Sequence, residues 1–289
     1  MTHTLIDAQQ LYEHLQDPAW AILDCRFELS RPEWGAAAFA AAHIPGARYA
    51  HLERDLSGPR TPGQGRHPLP SPEALALTFS RLGIAAHAQV IAYDQGPGAY
   101  AARLWWLLRW LGHPRVAVLD GGLAAWERAG LPLTSITGTV TVPVTATFRP
   151  RRQSELLSNT DEIAARVASG AFARGEELLI DARSAERFAG RNETLDPVAG
   201  HVPGARNHPF MDNLEGGGKF LPAAALRERW LRTLGGTSAA ASIAMCGSGV
   251  TACHNLLALE VAGLPGARLY AGSWSEWITD PTRPVAREG

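Results

Sequence analysis

The feature that most constrains this chain is that it contains itself twice. Ala21-Ile22-Leu23-Asp24-Cys25-Arg26 recurs as Leu178-Leu179-Ile180-Asp181-Ala182-Arg183, and His43-Ile44-Pro45-Gly46-Ala47-Arg48 recurs as His201-Val202-Pro203-Gly204-Ala205-Arg206. Gln89-Val90-Ile91-Ala92-Tyr93-Asp94 answers Ser242-Ile243-Ala244-Met245-Cys246, and Gly121-Gly122-Leu123-Ala124-Ala125-Trp126 answers Ala271-Gly272-Ser273-Trp274-Ser275-Glu276-Trp277. Four matches in one order, at nearly one separation, imply a tandem duplication. The period is too long for a solenoid, whose units run to roughly 20–50 residues. A length of 289 residues suits two ordinary domains.

Within each copy, short apolar strands alternate with helical patterns, which predicts an α/β fold with a mostly parallel sheet flanked by helices. The first helix of copy one starts at Asp7-Ala8-Gln9-Gln10, a capping-box-like signal, and its counterpart starts near Ser158-Asn159-Thr160-Asp161-Glu162-Ile163. Ser135 to Gln153 is rich in Thr, Val and Pro without helical period and reads as an extended linker. The expected organisation is an N-terminal domain over 1–135, a linker over 136–155 and a C-terminal domain over 156–289. The aromatic stripe of Ala101 to Trp110 reads as helix core or interdomain packing.

Cys246 is where chemistry is expected. It ends an apolar strand-like run and opens the loop Gly247-Ser248-Gly249-Val250-Thr251-Ala252, after which Cys253 to Leu259 reads as a helix. Loop N–H groups and the positive end of that helix should converge on the sulfur, favouring thiolate and holding anions. Thiolate, not thiol, is the useful nucleophile. Two other readings of this peptide fail on their own terms. The G-x-G-x-x-A pattern of a dinucleotide site needs further strands and an acidic residue about 20 positions on, whereas Glu260 comes too early and the chain ends at Gly289. A cysteine phosphatase ends its loop in an arginine that clamps phosphate, and Thr251 and Ala252 stand there instead.

Composition narrows the class. Twenty-seven basic against 28 acidic residues give no electrostatic footprint for nucleic acid or an anionic membrane. No apolar run approaches the roughly 20 residues of a bilayer span, and the polar start lacks signal-peptide character, so a cytoplasmic protein is expected. Three cysteines make no disulfide framework. Cys246 and Cys253 fit neither a C-x-x-C pair nor a zinc pattern, and Cys25 and Cys253 are expected to be buried. Where copy two has Cys246, copy one has Asp94 in Tyr93-Asp94-Gln95-Gly96-Pro97-Gly98. A carboxylate cannot perform the same nucleophilic step, so copy one is expected to be catalytically silent.

With these motifs assembled, the chain resembles the tandem-domain rhodanese-type sulfurtransferases, which act on thiosulfate or 3-mercaptopyruvate. The Asp-x-Arg strands, the His-Ile/Val-Pro-Gly-Ala turns and the Cys-Gly-Ser-Gly-Val-Thr-Ala loop carry the resemblance. It implies a ping-pong reaction through a Cys246 persulfide, without metal or other cofactor. The donor is a small sulfur anion and the acceptor a thiol, cyanide or a protein. Gly247, Gly249, Val250 and Thr251 would line the anion-holding loop. Arg187, in Ala185-Glu186-Arg187-Phe188, would grip the donor, since a guanidinium fork fits carboxylate oxygens.

Thiosulfate-preferring relatives usually carry basic side chains after the cysteine, whereas Gly247 and Ser248 are similar to the mercaptopyruvate branch. There the resemblance implies that Ser248 works with a histidine and an acidic residue of the first domain, matched by His67 in Gly65-Arg66-His67-Pro68 and by Glu53. The family's second gripping arginine has no counterpart before Pro197, because Arg191 stands too early. A persulfide carrier or regulatory binding module is the reading from another class.

Overall fold

A computed structural model of the chain describes residues 4–135 and 146–288. Of the expected linker, residues 136–145 lie outside the described residues, and 146–153 carry no helix or strand. The chain divides into two compact units. One comprises the described residues of Met1–Gly58, Leu69–Gln153 and Glu215–Phe220; the other comprises Pro59–Pro68, Ser154–Leu214, and the described residues of Leu221–Gly289.

The first unit holds strands β1 (Leu5–Ile6), β2 (Trp20–Asp24), β3 (Arg48–Tyr49), β4 (Gln89–Tyr93) and β5 (Val116–Leu119). Its helices are α1 (Ala8–Glu13), α2 (Trp34–Ala41), α3 (Pro72–Arg81), α4 (Ala99–Trp110) and α5 (Gly122–Arg128). The strands pair in the order β1-β5-β4-β2-β3, all parallel. Asp7 closes the expected capping box on Gln10. The aromatic stripe of α4 is core, with Trp105, Trp106 and Trp110 all buried.

The second unit repeats this plan. Its strands are β6 (Leu157–Ser158), β7 (Leu178–Asp181), β8 (Arg206–Asn207), β9 (Ser242–Met245) and β10 (Arg268–Tyr270), ordered β6-β10-β9-β7-β8 and again parallel. Its helices are α6 (Thr160–Ser169), α7 (Ala185–Phe188), α8 (Ala223–Leu234), α9 (Thr251–Val261) and α10 (Ser273–Trp277). Asn159 caps α6 by accepting the N–H of Glu162. Ile163 and, four residues on, Val167 turn one face of α6 onto a core of Leu179, Ile243, Met245, Trp274 and Trp277.

The register explains the repeated motifs. Asp181 of β7 is level with Met245 of β9, so the Asp-x-Arg strand ends beside the residue preceding Cys246. Asp181 and Arg183 form a buried pair at 2.7 Å, as do Asp24 and Arg26. The repeated histidines are scaffold: His43 Nδ1 bonds the Phe39 carbonyl at 2.7 Å and His201 Nδ1 that of Phe188 at 2.8 Å. Each imidazole stacks on the same phenylalanine whose carbonyl it binds.

Candidate active site

The thiol sits where a parallel α/β sheet presents ligands, outside the carboxyl end of a strand. β9 is the central strand, Cys246 follows it, and α9 begins five residues later at Thr251. Cys246 is 2 % exposed. The Gly249 N–H donates to its Sγ at 3.1 Å. Gly249 adopts φ +75°, and an added Cβ would stand 2.3 Å from the Ala271 carbonyl oxygen. Only glycine fits this turn.

Contacts from α10 fix the loop from the other side. The Cys246 N–H donates to Ser273 Oγ at 3.0 Å, while the Trp274 and Ser275 N–H groups donate to the Cys246 and Gly247 carbonyls. Ser273 has φ 54° although it is not glycine. Its hydroxyl, donating to the Tyr270 carbonyl, compensates that conformation. Val250 is buried in the turn into α9, and Thr251 is the first helical residue.

The corresponding loop of the first unit shows what this conformation does to a negative group. Asp94 is fully buried and accepts four backbone N–H bonds, from Gly96, Gly98, Tyr100 and Ala101, at 2.9 to 3.4 Å. The turn is a nest of N–H groups aimed at one side chain. In the first unit a carboxylate fills it. Burial nevertheless pushes the Asp94 carboxyl above its ordinary range, and the four N–H donors oppose that rise.

The segment Pro59–Pro68 belongs in sequence to the first copy, yet packs with the second unit and brings Arg66 and His67 to the loop. The Arg66 N–H donates to Ser275 Oγ at 3.0 Å, and the Gly65 N–H reaches Glu276 Oε2 at 3.4 Å. His67 is buried, and its Nδ1 shares a 2.8 Å hydrogen bond with Ser248 Oγ, its direction set by the tautomer. Glu53 lies in the other unit, exposed, with its N–H donating to His51 Nδ1 at 3.1 Å.

Arg187 stands on the short helix α7, whose N-cap Ser184 accepts the Arg187 N–H. Its Nε and Nη2 bond Glu193, and Nη2 also bonds Asp196 Oδ2 at 3.0 Å. Asp196 Oδ1 accepts from Arg66 Nη1. Burial raises the Asp196 carboxyl, with the charge of Glu193 adding to the rise and the two arginines opposing it. For Glu193 the bonds from Arg187 and from the Leu195 and Asp196 N–H groups outweigh burial, and its carboxyl is lowered. Arg183 lies over the Trp274 ring at 4.9 Å. Burial would lower its guanidinium, yet Asp181 and Glu193 raise it.

Three members of this cluster carry no signal that sequence reasoning could use directly. Arg66 is marked only as the neighbour of His67, and Glu193 and Asp196 sit in a polar stretch without a period or motif. Arg191 is exposed, and its N–H donates to the Glu186 carbonyl. Among the described residues, no group of three or more His, Cys, Asp or Glu side chains could hold a metal ion, and no helix is long and apolar enough to cross a membrane.

Comparison with known proteins agrees with this geometry. The family model for the rhodanese-like domain matches residues 7–129 and again 160–280. The chain is 50% identical to the Pseudomonas aeruginosa "Probable 3-mercaptopyruvate sulfurtransferase", over 98% of this chain and 97% of that one. It is 41% identical to the "Putative thiosulfate sulfurtransferase SseB" of Mycobacterium tuberculosis, over 98% and 96%. Among solved structures, the crystal structure of SseA from Escherichia coli, titled for 3-mercaptopyruvate sulfotransferases, superposes with a TM-score of 0.80. It is 33% identical, with 95% of this chain and 100% of that chain covered.

Proposed function

This chain belongs to the rhodanese-like family, and from that premise we propose that it is a sulfurtransferase using 3-mercaptopyruvate as its favoured donor and Cys246 as the sulfur carrier. The observation that carries the proposal is the Cys246 loop, with its thiol at the end of the central strand and an N–H donor at 3.1 Å. The Cys246 thiolate attacks the donor sulfur and forms an S–S bond. The donor's S–C bond breaks, its electron pair passes into the enolate of pyruvate, and a proton delivered to that carbon completes pyruvate. Cys246 is left as a persulfide, whose negative outer sulfur preorganised loop N–H groups stabilise. An acceptor thiolate or cyanide then attacks the outer sulfur, the S–S bond breaks, and the Cys246 thiolate returns.

Ser248 and His67 supply the proton path. Their shared hydrogen bond joins a hydroxyl beside the nucleophile to an imidazole whose ordinary pKa, about 6.5, suits proton exchange near neutrality. Arg187 binds the donor's carboxylate. The second unit is thus the catalytic domain, and the first is silent because Asp94 replaces the nucleophile and fills the nest. Three free thiols fit a reducing compartment, and we place the protein in the cytoplasm.

Thiosulfate is the second reading. The attack would fall on its outer sulfur and sulfite would leave with the electron pair; the Mycobacterium tuberculosis relative favours it by name. Steady-state kcat/KM for both donors, with wild type and Cys246→Ser, tests the proposal. Mercaptopyruvate preferred, and all transfer lost in the variant, supports it. Thiosulfate preferred reverses the donor, and a stable persulfide without turnover points to a carrier.

A further inference from the structure

We propose that Ser275 is a positioning residue for the proton path, tying together the two peptides that carry Ser248 and His67. The inference rests on the mercaptopyruvate reading and deepens it. Ser275 is buried on α10 and bonds in two directions. Its N–H donates to the Gly247 carbonyl at 2.9 Å, and its Oγ accepts the Arg66 N–H at 3.0 Å. Gly247 is the residue before Ser248, and Arg66 is the residue before His67. With the 2.8 Å bond between Ser248 Oγ and His67 Nδ1, these contacts close a ring of three hydrogen bonds. Two of them fix backbone, and the third is the proton pair itself.

His67 needs such a tie because its segment, Pro59–Pro68, carries neither helix nor strand. A side chain that must meet a partner closely is held best by rigid elements and by the hydrogen bonds around it. The end of α10 supplies that hold. Glu276 Oε2 accepts the Gly65 N–H at 3.4 Å, Glu276 Oε1 accepts the Thr160 hydroxyl, and Thr279 Oγ1 donates to the Gly63 carbonyl at 3.3 Å. A Cβ built on Gly65 would stand 2.7 Å from the Gly272 carbonyl oxygen and 2.9 Å from Ser275 Oγ, so the segment lies directly on α10. The same helix holds the nucleophile loop through the Trp274 N–H, which donates to the Cys246 carbonyl at 3.0 Å. Ser275 bonds both peptides at once. Replacing it by alanine keeps its N–H on Gly247 but frees the Arg66 N–H, so His67 can drift from Ser248 while the Cys246 loop keeps its conformation.

The test measures kcat and KM for 3-mercaptopyruvate and for thiosulfate in wild type, Ser275→Ala, Ser248→Ala and the double variant. Ser275→Ala is expected to lower kcat for mercaptopyruvate roughly three- to thirty-fold with KM nearly unchanged, and to leave thiosulfate turnover within about twofold. In the Ser248→Ala background the same substitution should cost less than about twofold more, because the bond it aligns is already gone. Equal losses with both donors, or a full further loss in the double variant, would show general loosening and overturn the proposal. A folded Ser275→Ala protein with unchanged kcat would do the same. Should that variant not fold, Gly65→Ala, whose methyl group presses on Ser275 Oγ from the other side, takes its place with the same expectations. The His67 ring signals, assigned by their loss in His67→Gln and read by NMR without any donor, should move in Ser275→Ala toward their positions in Ser248→Ala; unmoved signals overturn the proposal. A wild type that turns over thiosulfate alone would overturn the mercaptopyruvate reading instead, and the NMR comparison would then still decide the role of Ser275.

Discussion

His67 Nδ1 and Ser248 Oγ, 181 positions apart in the chain, stand 2.8 Å apart in a single compact unit. Ser248→Ala and His67→Gln each break that bond. On the proposed proton path, each substitution should slow mercaptopyruvate turnover on the order of ten- to a thousand-fold, within the range of general acid–base assistance. Thiosulfate releases sulfite without needing a proton on carbon and should lose much less. Parallel kcat/KM measurements with both donors check this, and equal losses would remove the proton-path role.

Asp94→Ala addresses the first unit. Four N–H groups lose their acceptor, so stability should fall by about 1–3 kcal/mol, visible as a lower Tm. Sulfur transfer should stay within about twofold of wild type. A collapse of kcat in a protein that remains folded would contradict the silent-domain assignment.

Gly249→Ala tests the loop geometry. The methyl group would stand 2.3 Å from the Ala271 carbonyl oxygen at a φ of +75°. The loop must move, at a cost of about 1–3 kcal/mol, and it carries with it the N–H that contacts Cys246. Persulfide formation measured in a single turnover should slow at least tenfold, whereas an unchanged rate would show that this donor is dispensable.

Stability should fall with acid before the carboxylates titrate. Burial lowers the pKa of His113 in the first unit and of His208 in the second. A histidine whose folded pKa lies below its unfolded value contributes stability that is full above about pH 6.5 and is lost as pH falls through the folded value, because the unfolded chain binds the proton first. Tm measured from pH 7.5 down to 5.5 should decline, and His208→Gln should flatten the slope. A Tm that rises across this window would contradict the sign.

Much of this is legible in the sequence for identifiable reasons. The duplication exposes two α/β units because each copy repeats strand, turn and loop in order, and Asp7 and Asn159 announce their helices through short-range capping that needs no tertiary knowledge. Cys246 is legible because strand, glycine loop and helix follow one another directly. Arg66, Glu193 and Asp196 are not, since their roles arise from a segment that crosses into the second unit and from ion pairs spanning up to 130 positions. The repeated histidines illustrate the opposite hazard: a motif repeated twice, His43 and His201, serves packing against Phe39 and Phe188.

The most direct measurement is to trap the sulfur. Wild type and Cys246→Ser are mixed with a single equivalent of 3-mercaptopyruvate in the absence of acceptor, alkylated, and mapped by peptide mass spectrometry. One additional sulfur on the peptide containing Cys246, with none in the variant, is the expected result. Sulfur found on Cys25 or Cys253, or transfer persisting in Cys246→Ser, would contradict the assignment of Cys246 as the carrier.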